Sequence, residues 1–468
     1  MWVPSMAETG TPSDIEYDIE DRPPLGESIP LGLQHVFAMF LGNVAPPLIV
    51  AGGIGMATGE TTFLVQMALI VAGIATIVQV SPIGPVGARL PIVMGTSFAF
   101  LGPMIGIGNS FGISAIFGAA LVASPVEVIA GFSLQRFRKY FPPLVTGVVV
   151  MLIGLTLIPT GVDYAAGGVG AADYASFANL GLAALVFLVT IILNQFFEGI
   201  WRIASVFIGI VVGYVVAIPL GMVDFSAVAQ AGWFTVPIPL KYGLSFHPSA
   251  IATIAFMYVI TSMETIGDIS GIVAATNRTP TREQLRGGLV ADGVMSAFAA
   301  IFNAMPNTSF SQNVGLVNFT GVASRYVAGV AGVILVILGF IPKIGAFVSA
   351  MPDAVLGGGA IILFAMIFGS GFKLIKQHVD FNHRNNTILS ISVALGLMVQ
   401  FRPEILQNLP STWQNFFGSA LIVGGFAALL LNILVPGGGV GTGPTELSDG
   451  LDEETASGLD MDFEQTSD

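Results

Sequence analysis

Long apolar segments follow one another almost from end to end of this chain, and that recurrence limits its possible folds more than any single motif. A helix needs about 20 mainly apolar residues to cross about 30 Å of hydrocarbon. Segments of this kind lie near 31–52, 61–80, 88–104, 112–132, 143–160, 178–197, 202–222, 249–274, 286–304, 308–321, 325–345, 353–371, 386–401 and 417–435. The reading is an all-α polytopic membrane protein with 14 transmembrane spans, the third and tenth short and interrupted by Gly and Pro. Of 468 residues, 54% are hydrophobic and 10% charged. A soluble domain carries about a quarter charged residues, so a soluble enzyme and a nucleic-acid binder are both excluded. With no Cys, disulfides, thiolate metal sites and a thiol nucleophile are excluded as well.

The net charge of -13 resides in the two ends. Residues 1–30 hold seven acidic groups against Arg22, and residues 436–468 hold nine with no Lys or Arg, which leaves 31–435 at +2. Both ends are expected to be disordered acidic tails, because neither has the apolar content to offset chain entropy. Only five lysines in the chain also fit a halophilic, high-salt cytoplasm. The first 30 residues lack an apolar h-region, so no cleavable signal peptide is expected. With the amino terminus inside, the loops after even-numbered spans hold Arg89, Arg136, Arg138, Lys139, Arg202, Arg278, Arg282, Arg286, Arg325, Lys373, Lys376 and Arg384. The other loops hold Lys241, Lys343 and Arg402. Twelve basic residues against three satisfy the positive-inside rule and predict a cell-membrane protein with both termini cytoplasmic.

Two short matches recur at nearly one offset. Thr96-Ser97-Phe98 returns as Thr308-Ser309-Phe310, 212 residues on, and Pro142-x-x-Val145-x-Gly147 as Pro352-x-x-Val355-x-Gly357, 210 residues on. They pair span three with ten and five with twelve, which gives seven spans repeated twice, at 31–222 and 249–435. An odd number of spans per repeat inverts the second half, the architecture of secondary transporters that bind substrate near mid-membrane at discontinuous segments. Gly95–Pro103 and Pro306–Gly315 have the composition of such breaks. Each is expected to end in extended backbone with free amide and carbonyl groups, since irregular backbone inside a membrane must be buried in protein or line a wet cavity.

Ionisable groups within spans are costly and mark function by default. They are His35, Glu127, Glu264, Asp268 and Asp292; Gln34, Asn43, Gln66, Gln79, Asn303, Gln312 and Asn313 are the main neutral amides. Glu264 and Asp268 are one helical turn apart on one face, so they would repel if both were charged. Glu264 is the leading candidate for a functional acid, while Asp268 and Asp292 fit pairing or the holding of broken-helix amides equally well. His35 suits an organising role before proton transfer. Of the adjacent amides Gln312 and Asn313, one is assigned to backbone and one to a ligand. Phe98 and Phe310 occupy matching repeat positions that suit stacking on a flat ring. Glu127, close to Arg136 and Arg138, reads as a local ion-pair or snorkelling group. Gly357-Gly358-Gly359 reads as close helix packing, because it lacks the phosphate-loop lysine. No His or carboxylate spacing suggests a metal site, and no motif suggests a cofactor.

The stretch Pro306–Arg325, with Gln312, Asn313, Gly315 and Thr320 in the pattern Gln/Glu-Asn-x-Gly-x-x-x-x-Thr, closely resembles the signature of the nucleobase-ascorbate transporter family, which includes uracil, xanthine and uric acid permeases. Gln34-His35, Thr96-Ser97-Phe98 and Met263-Glu264-Thr265-Ile266-Gly267-Asp268 are similar to its first-, third- and eighth-span motifs, in the same order. The likeness runs from about residue 30 to 435. It implies a core of spans 1–4 and 8–11, a gate of spans 5–7 and 12–14 that also dimerises, and hydrogen bonds from Glu264 and Gln312 to the base. Backbone near Phe98 and Ser311 would complete the contacts; Asn313 and Thr320 would support the site, and His35, Asp268 and Asp292 would hold or couple it.

In this likeness, uracil permeases carry Glu where Gln312 stands. Gln312 and the run Arg286–Gly293 resemble the purine branch, and a neutral amide can both donate to and accept from a purine edge. One departure is Val314-Gly315, where purine members commonly show Asn-Gly. The expected function is symport of a purine nucleobase, xanthine or uric acid, with H+ or Na+ as the coupling ion. A uracil permease is the alternative within the family, and an anion exchanger or channel is the alternative outside it.

Overall fold

The structure, a computed structural model, describes residues 15–134 and 142–436. Most of the two acidic ends, together with Arg136, Arg138 and Lys139, lies outside the described residues. The first half runs through α1 (Leu25–Gly53), α2 (Thr58–Val80), the strand β1 (Met94–Thr96), a 3-10 turn (Phe98–Phe100), α3 (Leu101–Phe111), α4 (Ile113–Ala123), α5 (Pro125–Phe132), α6 (Pro143–Ala165), α7 (Phe177–Phe196) and α8 (Ser205–Ala217). The second half, short helical turns apart, runs through α9 (Pro248–Ala275), α10 (Arg282–Ile301), β2 (Asn307–Ser309), α11 (Ser311–Thr320), α12 (Arg325–Gly339), α13 (Pro342–Ser349), α14 (Asp353–His378), α15 (His383–Phe401) and α16 (Ala420–Leu434).

Every apolar segment expected from the sequence coincides with a helix or with a strand leading into one. Among the described residues, seven helices are long and apolar enough to cross a membrane: α1, α2 from Gly59, α4–α5 as one span, α6, α7, α9 and α14. Helices α12 and α13 pass only as a pair bent by 83°, and α8 and α16 are apolar but shorter.

Both interrupted segments become extended backbone. Strands β1 and β2 pair antiparallel, with Met94 opposite Ser309, Gly95 opposite Thr308 and Thr96 opposite Asn307. The motifs that match in sequence therefore meet in space. Many of their amides are not free, which departs from the expectation. Besides the strand pairing, Phe310 N donates to Val93 O at 3.0 Å, Ser97 N to Pro306 O at 3.2 Å, and Met94 N to Thr76 Oγ1 at 2.9 Å. An unpaired buried amide costs as much as a lost hydrogen bond, so the two breaks satisfy each other.

The helices sort into two packed groups, α6–α8 with α14–α16, and α1–α5 with α9–α13 and the strands. In the first group, glycine sets the approach. A Cβ on Gly357 would stand 2.0 Å from Ala165 N, one on Gly358 2.5 Å from Ala183 O, and one on Gly154 2.6 Å from Phe364 O. Small residues let helices touch backbone to backbone where lipid supplies no hydrophobic drive to bring them together.

Residues 15–24 correct the reading of a disordered tail to residue 30: they dock against the second group, and α1 already begins at Leu25. Their charges have partners. Asp18 pairs with Arg278 at 2.6 Å, and Glu20 with Arg89 at 2.8 Å and Arg325 at 2.9 Å. Ala323 N and Arg325 N donate to Tyr17 O and Ile19 O, and Ile19 is buried in a cluster with Ala75, Ala88 and Leu90. The sequence showed the acids but not the arginines that fold brings to the same end.

Gly357→Ala is expected to destabilise the protein by about 1–3 kcal/mol through overpacking, measured as a lower melting temperature in detergent. Gly369→Ala on the same helix, with nothing within 4 Å of its Cβ, is expected to leave melting unchanged. Hydrogen bonds from Arg325 and Arg89 hold the Glu20 carboxyl below the usual carboxylate range. A folded-state value below the unfolded one contributes stability that is complete above that range and lost as pH falls through it. The Glu20 side chain is 52% exposed, so this is worth about 0–1 kcal/mol. Glu20→Gln is therefore expected to speed amide exchange of residues 17–22 at neutral pH, relative to the parent and after correction for intrinsic rates. The difference should vanish in acid, and one that persists there counts against the ion pairs.

Candidate binding site

The strand pair sits among polar side chains supplied by apolar helices. From α1, Asn43 Oδ1 accepts from Thr96 N at 2.9 Å and Thr96 Oγ1 at 3.1 Å, while its Nδ2 donates to Ala68 O at 3.2 Å. From α2, Gln79 Nε2 donates to Asp292 Oδ1 at 3.0 Å and Gly288 O at 3.1 Å, and its Oε1 accepts from Ala88 N. The Thr265 hydroxyl of α9 donates to the other oxygen of Asp292 and lies 3.4 Å from Thr308 Oγ1 in β2. Ser309 Oγ and Ser311 Oγ donate to the two oxygens of Asp268, at 2.5 Å and 2.6 Å. Asp268 and Asp292 thus tie α9, α10, β2 and the start of α11 together.

Glu264 and Gln312 differ from these groups. Both are half-buried, and neither side chain makes a hydrogen bond to another described residue. Helix α9, which carries Glu264, packs against the 3-10 turn that starts at Phe98, against β2, and against α11, which carries Gln312 in its first turn. An acid and an amide are left open beside a strand pair whose own groups are largely taken. Such a pair can bond the opposite edges of a small polar molecule.

His35 and Asn313 are both buried and hold each other: Asn313 Nδ2 donates to His35 O at 3.1 Å and lies 3.0 Å from His35 Nδ1. An amide NH2 only donates, which puts the imidazole proton on Nε2. The two phenylalanines at matching repeat positions take different neighbours. Phe98 meets Phe364 of α14 edge to face at 5.6 Å, while the Phe310 ring packs onto Gly42 and Gly95 so tightly that a Cβ at either would come within 2.6 Å of it.

Residues 26–405 match the model described as Permease family. The chain is 37% identical over 411 residues to the xanthine permease of Bacillus subtilis, covering 87% of this chain and 94% of that one. To the xanthine permease XanQ of Escherichia coli K12 it is 36% identical over 442 residues, covering 91% and 95%. It belongs to the nucleobase-ascorbate transporter family. The family and its named members are permeases, so this is a transporter and not an enzyme. The transmembrane domain of a cyanobacterial bicarbonate transporter, BicA, superposes with a TM-score of 0.57 at 14% identity, covering 89% of this chain and 99% of that one. The anion transporter thus shares the fold, at an identity far below that of the xanthine permeases.

The family's signature runs along α11, but its members take separate tasks. Thr320 lies at the far end, roughly 14 Å of helix from Ser311, where Oγ1 donates to Leu316 O and accepts from Val322 N. It ends the helix and touches none of the groups above.

Glu127 overturns its sequence reading. It is fully buried and accepts from Thr261 Oγ1 of α9 at 2.6 Å, where a snorkelling or surface ion-pair group was expected. Gly293 is the cause: its missing side chain lets α10 approach Ser124 and Val128, which turns the first turn of α5 into the bundle. Asn43 and Gln79 were named among the neutral amides but given no task, and Thr265 stood only inside a motif. Their sole signal was a polar residue in an apolar helix, shared with many packing groups.

Asn43→Ala removes the acceptor of a buried amide and hydroxyl, which is expected to cost about 1–3 kcal/mol. Melting in detergent should fall accordingly, with Asn43→Asp, which keeps the acceptor, closer to the parent; equal melting of all three proteins would show that Asn43 does not hold β1.

Proposed function

We propose that this protein imports a purine nucleobase, xanthine or uric acid, across the cell membrane by cation symport, with H+ as the coupling ion. The observation that carries the reading is the pair of open groups, Glu264 and Gln312, beside strands whose backbone groups are largely paired. Glu264 bonds one edge of the base and Gln312 another, Phe98 stacks on the ring, and backbone at Phe98 and Ser311 completes the contacts. Phe310 backs the site by packing on Gly42 and Gly95. His35 and Asn313 orient the first turn of α11, and Asp268 and Asp292 hold the strands to α9 and α10.

Asp268 already has two hydroxyl donors, so Glu264 is the carboxyl free to change partners when substrate enters. If protonated Glu264 binds the base more tightly than the ionised form, linkage makes base and proton travel together. The fourteen-span arrangement in two inverted halves fits the antiparallel meeting of the repeated motifs. In this reading α1–α5 and α9–α13 carry the substrate in alternating access against a gate of α6–α8 and α14–α16, in a dimer with both termini cytoplasmic.

Uptake of labelled xanthine into proteoliposomes, with and without an inward proton gradient and against excess uric acid or uracil, tests this. Gradient-driven uptake blocked by uric acid but not uracil is expected, and Glu264→Gln is expected to reduce it at least tenfold. Uptake that follows a sodium gradient alone changes the coupling ion. Competition by uracil moves the assignment to the uracil branch, and bicarbonate or sulfate exchange without xanthine uptake overturns the nucleobase reading.

A further inference from the structure

Glu127 has no part in the site described above, yet its surroundings are unusual. It is fully buried. Its Oε1 accepts the Thr261 hydroxyl, while Oε2, also buried, has no hydrogen-bond partner. No ion pair reaches it among the described residues; those found there join Glu20, Glu60 and Asp18 to basic groups elsewhere. A buried carboxylate with one bare oxygen and no counter-charge carries a desolvation penalty of several kcal/mol, which a proton on that oxygen removes.

Among the described residues, the groups that face Glu127 come from α9 and α10, the helices packed against α5. From α10, Asp292 acts on it through space, and from α9, Glu264 does so. Arg286, also on α10, lies over the Phe132 ring, 5.8 Å from its centroid. Tyr258 of α9 donates its hydroxyl to Ala120 O. Three carboxyl groups this close, without a basic partner among the described residues, repel one another when ionised. Asp292 has a donor on each oxygen, from Gln79 and Thr265. Glu264 faces the proposed substrate position. Of the three, Glu127 is the one with an empty oxygen and no ligand to fill it. Thr261, which holds it, lies one turn from Thr265, which holds Asp292, on the same face of α9.

The geometry points to Glu127 as a second proton-holding group of the transport cycle, a positioning residue behind Glu264 that does not touch substrate. This rests on the proton-symport reading above. The proton adds to Oε2 from water and returns to water, with no other bond made or broken. Its presence or absence changes the repulsion felt by Glu264 and Asp292, and so biases when Glu264 releases its own proton and the base.

The test compares parent, Glu127→Gln, Glu127→Asp and Thr261→Val in proteoliposomes. Two readouts are used: exchange of external labelled xanthine for internal unlabelled xanthine, and gradient-driven accumulation as a function of pH. Glu127→Gln, a permanent stand-in for the protonated acid, is expected to keep exchange within about threefold of the parent and to lose at least tenfold of gradient-driven accumulation. Thr261→Val and Glu127→Asp are expected to shift the pH of half-maximal accumulation by at least about half a unit. Parent-like accumulation and pH profile in Glu127→Gln overturn the proposal. If that variant does not reach the membrane folded, unshifted profiles in the other two overturn it. A parent that exchanges xanthine but ignores the proton gradient also overturns it. One that neither exchanges nor accumulates xanthine instead overturns the functional reading beneath it.

Discussion

Backbone groups taken out of water must find partners, and here that requirement is met where two extended segments meet. A single extended segment deep in an apolar bundle would leave a row of amides and carbonyls unpaired. Two such segments, one from each half of the chain, satisfy each other as the antiparallel pair of Met94–Thr96 with Asn307–Ser309. Everything placed around the site follows from this junction. It starts Phe98 and Ser311 at the heads of two short helices and brings Thr308 and Ser309 to the acids of α9 and α10.

The second constraint is the cost of buried charge. Asp268 and Asp292 are met by hydroxyl and amide donors rather than by Lys or Arg, and these neutral partners bind strands to helices without adding a cation to the site. Glu264, Gln312 and Glu127 lack that full complement. The difference separates groups that build the junction from groups free to respond to a ligand or a proton. Glycine does the remaining work, since Gly293 seats α5 on α10 and Gly357 seats α14 on α6.

Much of this was legible beforehand for one reason: hydropathy over about 20 residues reports local chemistry, and a membrane span is a local requirement. The positions of the apolar helices came from such patterns, and the match of residues 96–98 with 308–310 came from a recurring motif; that the two segments meet as strands did not. Gln312 and Glu264 were marked by rarity, as polar groups in apolar runs. The errors arose where a property depended on distant chain. Glu127 was read against the arginines nearest in sequence, whereas its partner is Thr261, 134 residues away. The segment 15–24 was judged by its own composition, whereas Arg89, Arg278 and Arg325 make it a docked strap.

By itself the sequence determined that this chain lives in a membrane, where its apolar helices lie, and which family motifs it carries, because apolar runs and short motifs need no knowledge of what folds against them. Only the tertiary structure decided which polar groups are spent and which remain open. Asn43, Gln79, Asp268, Asp292 and Thr265 are committed to holding the strand pair; Glu264 and Gln312 are not; Glu127 is turned inward with one oxygen bare. Hydrogen bonds between side chains act over about 3 Å, and no pattern along the chain specifies which residues from different helices will come that close.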